Sequence, residues 1–172
     1  MTAPRRQTVY HPLPPGDAGS AATLGHMARM IRESVHDPIV ASLSGRVTAE
    51  MVVARHLFNF VQRHVLRYPD EYGPEVAEEI RTPGHMLEEI GRLGHTLGDC
   101  DDMTTLLGAL YHGLGWPVTL IGVWFTRPDQ DPHVYLEVEL AGRRIAADPL
   151  VPEPFGWSVP AEEGARRMEW VV

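Results

Sequence analysis

The stretch that decides how this chain folds is Gly98-Asp99-Cys100-Asp101-Asp102-Met103. It holds the only cysteine among 172 residues, at the point where a glycine-marked turn runs into an amphipathic segment. One cysteine cannot form an internal disulfide, so Cys100 is either a buried structural thiol or a reactive one. Its predicted place at a helix start favours the reactive interpretation, because the unpaired N–H groups there stabilise negative charge.

A core helix is predicted to begin at Cys100. Its apolar residues recur at helical spacing, and they are Met103, Leu106, Leu107, Leu110 and Leu114. Gly113 and Gly115 are candidates for the C-terminal cap, and Pro117 prevents the helix from continuing. The cysteine is therefore expected at the N-terminus of a helix that packs in the core.

Strands are predicted after this helix. Val118–Phe125 is a nearly continuous apolar run, as in a buried strand. His133–Leu140 alternates between apolar and polar residues, as a strand with one buried face does. Ala141-Gly142 is a two-residue hairpin signal, after which Arg143–Ala147 pairs back. Counting residue pairs outward from that turn places Asp148 about one pair away from the start of the preceding strand.

The N-terminal half is predicted to be helical. Residues 1–19 are rich in proline and glycine, so we expect an irregular arm there. Amphipathic helices are predicted over Ala21–Val35, from Thr48 to about Arg67, and from the Thr82-Pro83 cap through Leu93. The proline-rich tail after Pro149 is expected to be a loop or an extended segment.

The order of these elements indicates one α+β domain. Helices come first and antiparallel strands follow, which is typical of that class. A length of 172 residues suits a single domain with its own core. We assign that domain to residues 20–172, after the arm.

Composition excludes several classes of partner. The net charge of −8 and the lack of a long basic run argue against nucleic acid. No apolar stretch approaches the roughly 20 residues that span a bilayer, so we expect no membrane partner. The first residues lack the apolar core of a signal peptide, which favours a cytoplasmic protein and leaves association with a virion open.

No metal and no cofactor are expected from the sequence. The histidines and the cysteine lack the spacing of a zinc site, and the three aspartates around the cysteine lack the pattern of a calcium loop. The oligomeric state is left open.

Three residues together suit a thiol-nucleophile triad. Cys100 is a useful nucleophile only as a thiolate, and we expect the helix N-terminus and a protonated His133 to lower its pKa. Asp148 would hold the other ring nitrogen of His133 and set its tautomer. The carboxylates flanking the cysteine disfavour a thiolate, so we expect them to point away from the sulfur or to cap the helix.

The residues from about Thr82 to Pro149 resemble the transglutaminase-like branch of the papain-like thiol enzymes. The matching segments are Gly98-Asp99-Cys100-Asp101-Asp102, Thr104-Thr105-Leu106-Leu107, Leu114-Gly115, His133-Val134-Tyr135-Leu136-Glu137-Val138 and Asp148-Pro149. The resemblance implies Cys100 as nucleophile, His133 as general base and acid, and Asp148 as the residue that orients the histidine. It implies a papain-like fold, with a helical subdomain packed on a small antiparallel sheet, and it suggests a small phage-type member.

The family also supplies an oxyanion-hole side chain upstream of the cysteine. His95, Thr96 and the region of Tyr68 and Tyr72 are the candidates in this sequence. Trp157, which follows the predicted triad closely, is a candidate wall of the cleft.

The function that the resemblance implies is a cysteine-dependent enzyme that attacks an amide bond of a protein or peptide and forms a thioester. Hydrolysis by a peptidase or amidase is the simpler expectation, because the chain is too short for the extra barrel domains of the animal cross-linking enzymes. Two alternatives stay open. One is a protein-glutamine acyltransferase, which is a transglutaminase in the strict sense. The other is an inactive structural or interaction module, such as a component of a viral particle or of its assembly.

Overall fold

The computed structural model describes residues 9–11, 16–44, 50–67, 78–126, 130–160 and 164–172. In chain order its elements are β1 (Val9–His11), α1 (Asp17–Ser34), α2 (Pro38–Ser44), α3 (Glu50–His64), β2 (Val65–Arg67), β3 (Glu78–Ile80), α4 (Pro83–Leu93), β4 (Thr96–Gly98), α5 (Cys100–Gly113), β5 (Val118–Phe125), β6 (His133–Leu140), β7 (Arg143–Ala147) and β8 (Gly164–Val171). The predicted α+β class is confirmed, since helices pack on a four-stranded antiparallel sheet and the cysteine begins α5.

Helix α5 lies at the centre of the core. Its residues from Asp101 to Tyr111 are all buried, and α1, α2, α3 and β6 pack around it. The Tyr111 hydroxyl donates a 2.7 Å hydrogen bond to the carbonyl of Ala54 in α3. Gly108 allows α1 to approach closely, because a Cβ there would lie 2.6 Å from Cδ1 of Ile31. The helix that carries the cysteine is therefore held from several sides.

The four-stranded sheet has the order β7-β6-β5-β8, with antiparallel neighbours throughout. The β6–β7 hairpin has the predicted register, in which Leu140 pairs with Arg143. Ala141 and Gly142 both have positive φ, 49° and 73°, as a two-residue type I′ turn requires. The register ends at the pair Leu136–Ala147, so Asp148 is the first residue beyond it.

Both faces of the sheet are covered. The side chains of β6 that pack in the main core with α5 are Val134, Leu136, Val138 and Leu140. A second apolar cluster consists of Ile121, Val123, Tyr135 and Ala146, with Phe125 and Val159 packed against it. A strand buried on both faces has a continuous apolar sequence, which explains the run that predicts β5.

A short parallel pair of strands precedes the cysteine. β2 and β4 pair so that Arg67 lies opposite Gly98. A Cβ at Gly98 would lie 2.9 Å from Cβ of Asp102 and 3.0 Å from Cγ1 of Val65, so no side chain fits there. The pairing therefore brings the end of β2 beside the start of α5.

The N-terminal region differs from the prediction. The sequence predicts an irregular arm over residues 1–19, but β1 pairs with β3 and α1 begins at Asp17, immediately after Gly16 with φ of 67°. Backbone pairing needs no apolar pattern, and glycine allows the turn before the helix. The predicted helix Ala21–Val35 ends at Ser34. Pro38 then begins α2, since proline is well tolerated in a first helical turn. This short helix was not predicted from the sequence.

Two later segments also differ. The helix predicted from Thr48 to about Arg67 ends at His64, because the backbone of the next three residues pairs with β4. Thr48 lies outside the described residues. The tail contains β8, which pairs with β5 along its length. Charged side chains interrupt the apolar pattern of β8, so its sequence predicts a loop or an extended segment but not a paired strand.

Candidate active site

Cys100 is the first residue of α5, and its half-buried side chain lines a cleft. Asp99 caps the helix. Its Oδ1 accepts hydrogen bonds from the backbone N–H groups of Asp101, at 3.0 Å, and Asp102, at 3.2 Å. The cap satisfies two N–H groups that a helix start leaves unpaired, and it fixes the first turn that carries the sulfur.

His133 and Asp148 are in direct contact. The Nε2 atom of His133 lies 2.6 Å from Oδ2 of Asp148. The other carboxylate oxygen accepts a 3.2 Å hydrogen bond from the backbone N–H of Leu150. Asp148 is buried, so this contact is shielded from water. The contact predicted from the hairpin register is present, and the catalytic roles of both residues stay predictions.

Val134 links the strand that begins at His133 to the helix that begins at Cys100. Its carbonyl accepts a 3.2 Å hydrogen bond from the hydroxyl of Thr104, one turn along α5. Its backbone also forms a hydrogen bond with the Cys100 sulfur. Because His133 directly precedes Val134, these bonds bring the imidazole and the thiol to one cleft, which both side chains line.

The cleft has a volume of about 390 Å³. Besides Cys100 and His133 it is lined by Arg67, Asp99, Phe125, Gln130, Asp131, Pro132, Leu150, Val151, Trp157 and Val159. Four of the apolar lining residues come from the segment after Asp148, so the tail forms a wall of the cleft. Trp157 lies in that wall, as the sequence analysis proposed.

The pKa of the nucleophile differs from the prediction. The sequence predicts a thiol pKa lowered by the helix N-terminus and by His133, whereas the pKa of Cys100 is raised well above its usual value. Burial is the largest cause, and the negative charges of Asp101 and Asp99 follow. The backbone hydrogen bond from Val134 acts in the opposite direction. In the resting protein Cys100 is therefore a neutral thiol at neutral pH.

The three carboxylates around Cys100 have different partners. Asp99 caps the helix as expected, and Oδ1 of Asp102 accepts a 2.7 Å hydrogen bond from the backbone N–H of Arg81. Asp101 contradicts the expectation that these carboxylates avoid the sulfur. The Cys100 thiol donates a hydrogen bond to Oδ1 of Asp101 at 3.6 Å. Sequence cannot predict this contact, because the rotamer of a first-turn side chain depends on what packs around it.

A polar network that the sequence analysis missed holds the segment before the cysteine. The guanidinium of Arg81 donates to Oγ1 of Thr96, at 2.8 Å, and to Oε2 of Glu89, at 2.6 Å. It also donates to the carbonyl of Leu97. The Thr96 hydroxyl donates in turn to Oε2 of Glu89 at 2.5 Å. These residues form no sequence motif, and only the fold brings α4 and β4 together around them.

Two of the predicted oxyanion donors, Thr96 and His95, do not line the described cleft. Thr96 is wrong as a candidate, because its buried hydroxyl is bonded to Glu89 and lines no part of the described cleft. His95 is exposed and likewise does not line it. Tyr68 and Tyr72 lie outside the described residues. The side chains with N–H donors that do line the described cleft, besides the histidine, are Arg67, Gln130 and Trp157.

The described ranges contain no group of three or more His, Cys, Asp or Glu side chains arranged to hold a metal ion. The aspartates nearest the thiol instead contact the helix backbone, the sulfur and Arg81. No helix in the described part of the chain is long and apolar enough to cross a membrane.

Comparison with solved structures identifies a similar fold. A structure described as a "putative protease" from Parabacteroides distasonis ATCC 8503 matches with a TM-score of 0.51 at 14% identity, over 77% of this chain and 26% of that chain. A "putative cysteine protease" from Cytophaga hutchinsonii matches with a TM-score of 0.48 at 14% identity, over 86% of this chain and 48% of that one. This chain therefore spans less than half the length of either protein. No protein-family model and no curated protein sequence matches it.

Proposed function

We propose that this protein is a cysteine-dependent hydrolase of amide bonds, a peptidase or amidase of the transglutaminase-like type. The observation that carries the proposal is the 2.6 Å contact between Nε2 of His133 and Oδ2 of Asp148 at the cleft that Cys100 lines. Nucleophilic catalysis by cysteine needs a thiol, a base beside it and a group that orients the base. The similarity of the fold to the structure described as a "putative protease" agrees with this assignment.

The first step is the transfer of a proton from Cys100 to His133. Because Asp148 occupies Nε2, the nitrogen that accepts the thiol proton is Nδ1. The raised pKa of Cys100 means that no thiolate is formed in advance, so His133 acts as a general base during the attack. The Asp148 carboxylate stabilises the imidazolium that results.

The sulfur then forms a bond to the carbonyl carbon of the amide, and the carbonyl oxygen becomes an oxyanion. The backbone N–H of Cys100 and the side-chain donors of Arg67 and Gln130 are the groups proposed to stabilise it. His133 returns its proton to the amine as the C–N bond breaks, which leaves a thioester on the cysteine. Water, activated by His133, hydrolyses the thioester, releases the acid and restores the thiol.

The proposed substrate is an amide of a peptide or a protein. Phe125, Leu150 and Trp157 give the cleft an apolar side, which suits an uncharged side chain of such a substrate. The net charge of −8 disfavours a polyanion such as nucleic acid.

One observation favours a second candidate, an inactive structural or interaction module that keeps the fold. The Cys100 thiol is bonded to the Asp101 carboxylate, and its pKa is raised. A thiol in this state is a poor nucleophile unless a base removes its proton. The two candidates therefore differ in whether His133 can take that proton when a substrate is bound.

Mass spectrometry of a peptide mixture distinguishes these candidates. We expect the wild type to produce new carboxyl groups in a digest of unrelated proteins, and Cys100→Ser and His133→Gln to produce none. Glu139→Gln, an exposed change on β6, is the matched control and should behave like the wild type. An added primary amine that enters the products in place of water would identify a transglutaminase. A wild type that forms neither products nor an acyl adduct on Cys100 would support the inactive module.

A further inference from the structure

The reaction above leaves the carboxylate beside the nucleophile unexplained. Asp101 is buried in the first turn of α5, and its Oδ1 lies 3.6 Å from the Cys100 sulfur. A carboxylate in a first turn commonly serves the helix by accepting backbone N–H groups. In this helix that role belongs to Asp99, which accepts from the N–H of Asp101 itself. The Oδ1 atom of the Asp101 carboxylate faces the thiol.

We propose that Asp101 is a positioning residue that holds Cys100 as a neutral thiol and competes with His133 for its proton. In the resting protein the S–H bond points to Oδ1 of Asp101. Catalysis requires that hydrogen to turn toward Nδ1 of His133, which then removes it as the sulfur attacks. The proposal rests on the proposed function only for the identity of the base, since the contact between sulfur and carboxylate is independent of any substrate.

The charges around the sulfur support this role. In the described part of the chain, the charged and titratable side chains that line the cleft beside Cys100 are Asp99 at the start of α5, Arg67 from β2, Asp131 before β6, and His133 at the start of β6. The carboxylate that accepts the hydrogen bond of the thiol is that of Asp101. Burial, a negative charge and a hydrogen bond accepted from the S–H group all favour the neutral thiol.

This arrangement has a consequence for reactivity. Alkylating and oxidising reagents attack the thiolate, so a neutral thiol is protected from both. When the carbonyl of a substrate lies over the sulfur, the S–H bond turns from Asp101 toward His133, and the sulfur attacks as the proton leaves. Asp101 thus limits reaction at Cys100 to the state in which a substrate is in place.

Asp101→Asn tests the proposal, with Asp102→Asn as its matched control. Each variant replaces one buried carboxylate of the same helical turn by an amide of the same size. Only Asp101 faces the sulfur, whereas Asp102 accepts from the backbone of Arg81. Cys100 is the only cysteine, so the uptake of iodoacetamide, followed by intact mass, reports on this thiol alone. The rate is measured from about pH 5 to about pH 11, a range that brackets the ordinary thiol pKa.

The expected result is a shift of the alkylation profile in one variant. Asp101→Asn should lower the midpoint by about one pH unit, which is a tenfold increase in thiolate at neutral pH. A thiolate of lower pKa is less nucleophilic, so the alkylation rate at neutral pH should rise only about threefold. Asp102→Asn should keep the wild-type midpoint. An unchanged or higher midpoint in Asp101→Asn, or an equal shift in both variants, would overturn the proposal.

Two further measurements keep the proposal testable if Asp101→Asn does not fold, which circular dichroism would reveal. Asp101→Ser, a residue that suits a first helical turn, should show the same lower midpoint. The second measurement is the alkylation midpoint of the wild type itself, which requires no substitution. A midpoint below the ordinary thiol value of about 8.5 would also overturn the proposal. None of these measurements uses a substrate, so a protein that cleaves no peptide but shows the shift would contradict only the proposed function.

Discussion

The Nε2 atom of His133 and the Oδ2 atom of Asp148 lie 2.6 Å apart, although 15 positions separate the two residues in the chain. The β6–β7 hairpin brings them together. Its register pairs Leu140 with Arg143 and places the residue after β7 beside the start of β6. The backbone N–H of Leu150 holds the second carboxylate oxygen, at 3.2 Å. The carboxylate is therefore oriented from two sides before any substrate binds.

Asp148→Asn should reduce kcat for amide hydrolysis by roughly 10²–10⁴-fold. The N–H of Leu150 requires the amide oxygen of the new residue, so the amide NH₂ group must face Nε2 of His133. That contact favours the tautomer with hydrogen on Nδ1, which cannot accept the thiol proton. Steady-state kinetics check the effect, with Glu139→Gln as the control. Activity within a factor of three of the wild type would show that Asp148 does not set the tautomer.

Gly108→Ala should destabilise the fold by about 1–3 kcal/mol, because its Cβ would lie 2.6 Å from Cδ1 of Ile31. Gly91→Ala is the matched control in α4, where a Cβ meets no atom within 4 Å. There the better helix propensity of alanine should stabilise the protein by roughly 0.5–1 kcal/mol. Urea unfolding measures both changes. The double variant Gly108→Ala/Ile31→Val removes the clashing methyl and should recover part of the loss; no recovery would contradict the assigned cause.

Stability should depend on pH through Asp102. Burial, with the charge of Asp99 as a second cause, raises the pKa of Asp102 to about 7, whereas in the unfolded chain it is near 3.9. Between these values the folded state binds the extra proton, so the free energy of unfolding falls as pH rises from about 4 to about 7. Asp102→Asn lacks this titration.

We compare the free energy of unfolding of Asp102→Asn with that of the wild type. The value for the variant minus the value for the wild type should be roughly 2–4 kcal/mol larger above pH 7 than near pH 4. Urea titrations of both proteins across this interval measure the difference. A difference between the two proteins that is constant across the interval would contradict the raised pKa of Asp102.

Trp157→Ala should raise KM for peptide amides about tenfold, because it removes an apolar wall of the cleft that a bound peptide would cover. Alkylation of Cys100 by iodoacetamide should not change, since the small reagent needs no wall. Trp170→Ala is the control, because Trp170 packs against Gly25 and does not line the described cleft. Equal effects of the two tryptophan variants on KM would show that Trp157 acts through the fold rather than through the cleft.

Local patterns predict most of the fold around the cysteine. The apolar spacing after Cys100, the run of β5 and the Ala141-Gly142 turn each act over a few residues, and each is confirmed. Elements defined by pairing with a distant partner are missed or misplaced. Val65–Arg67 continues a helical pattern, yet it leaves the helix because its backbone pairs with β4, and β8 is a strand only because β5 lies beside it.

The sequence by itself determined that a helix begins at Cys100 and that His133 and Asp148 meet across a hairpin, since helical periodicity and a two-residue turn set both locally. Only the tertiary structure decided the state of the thiol. The direction of the Asp101 side chain and the desolvation of the sulfur depend on packing between elements that are remote in the chain. The same packing places Arg67 in the lining of the described cleft, whereas Thr96 and His95 do not line it. Protonation and side-chain direction follow from the whole set of neighbours, and no short pattern of residues encodes that set.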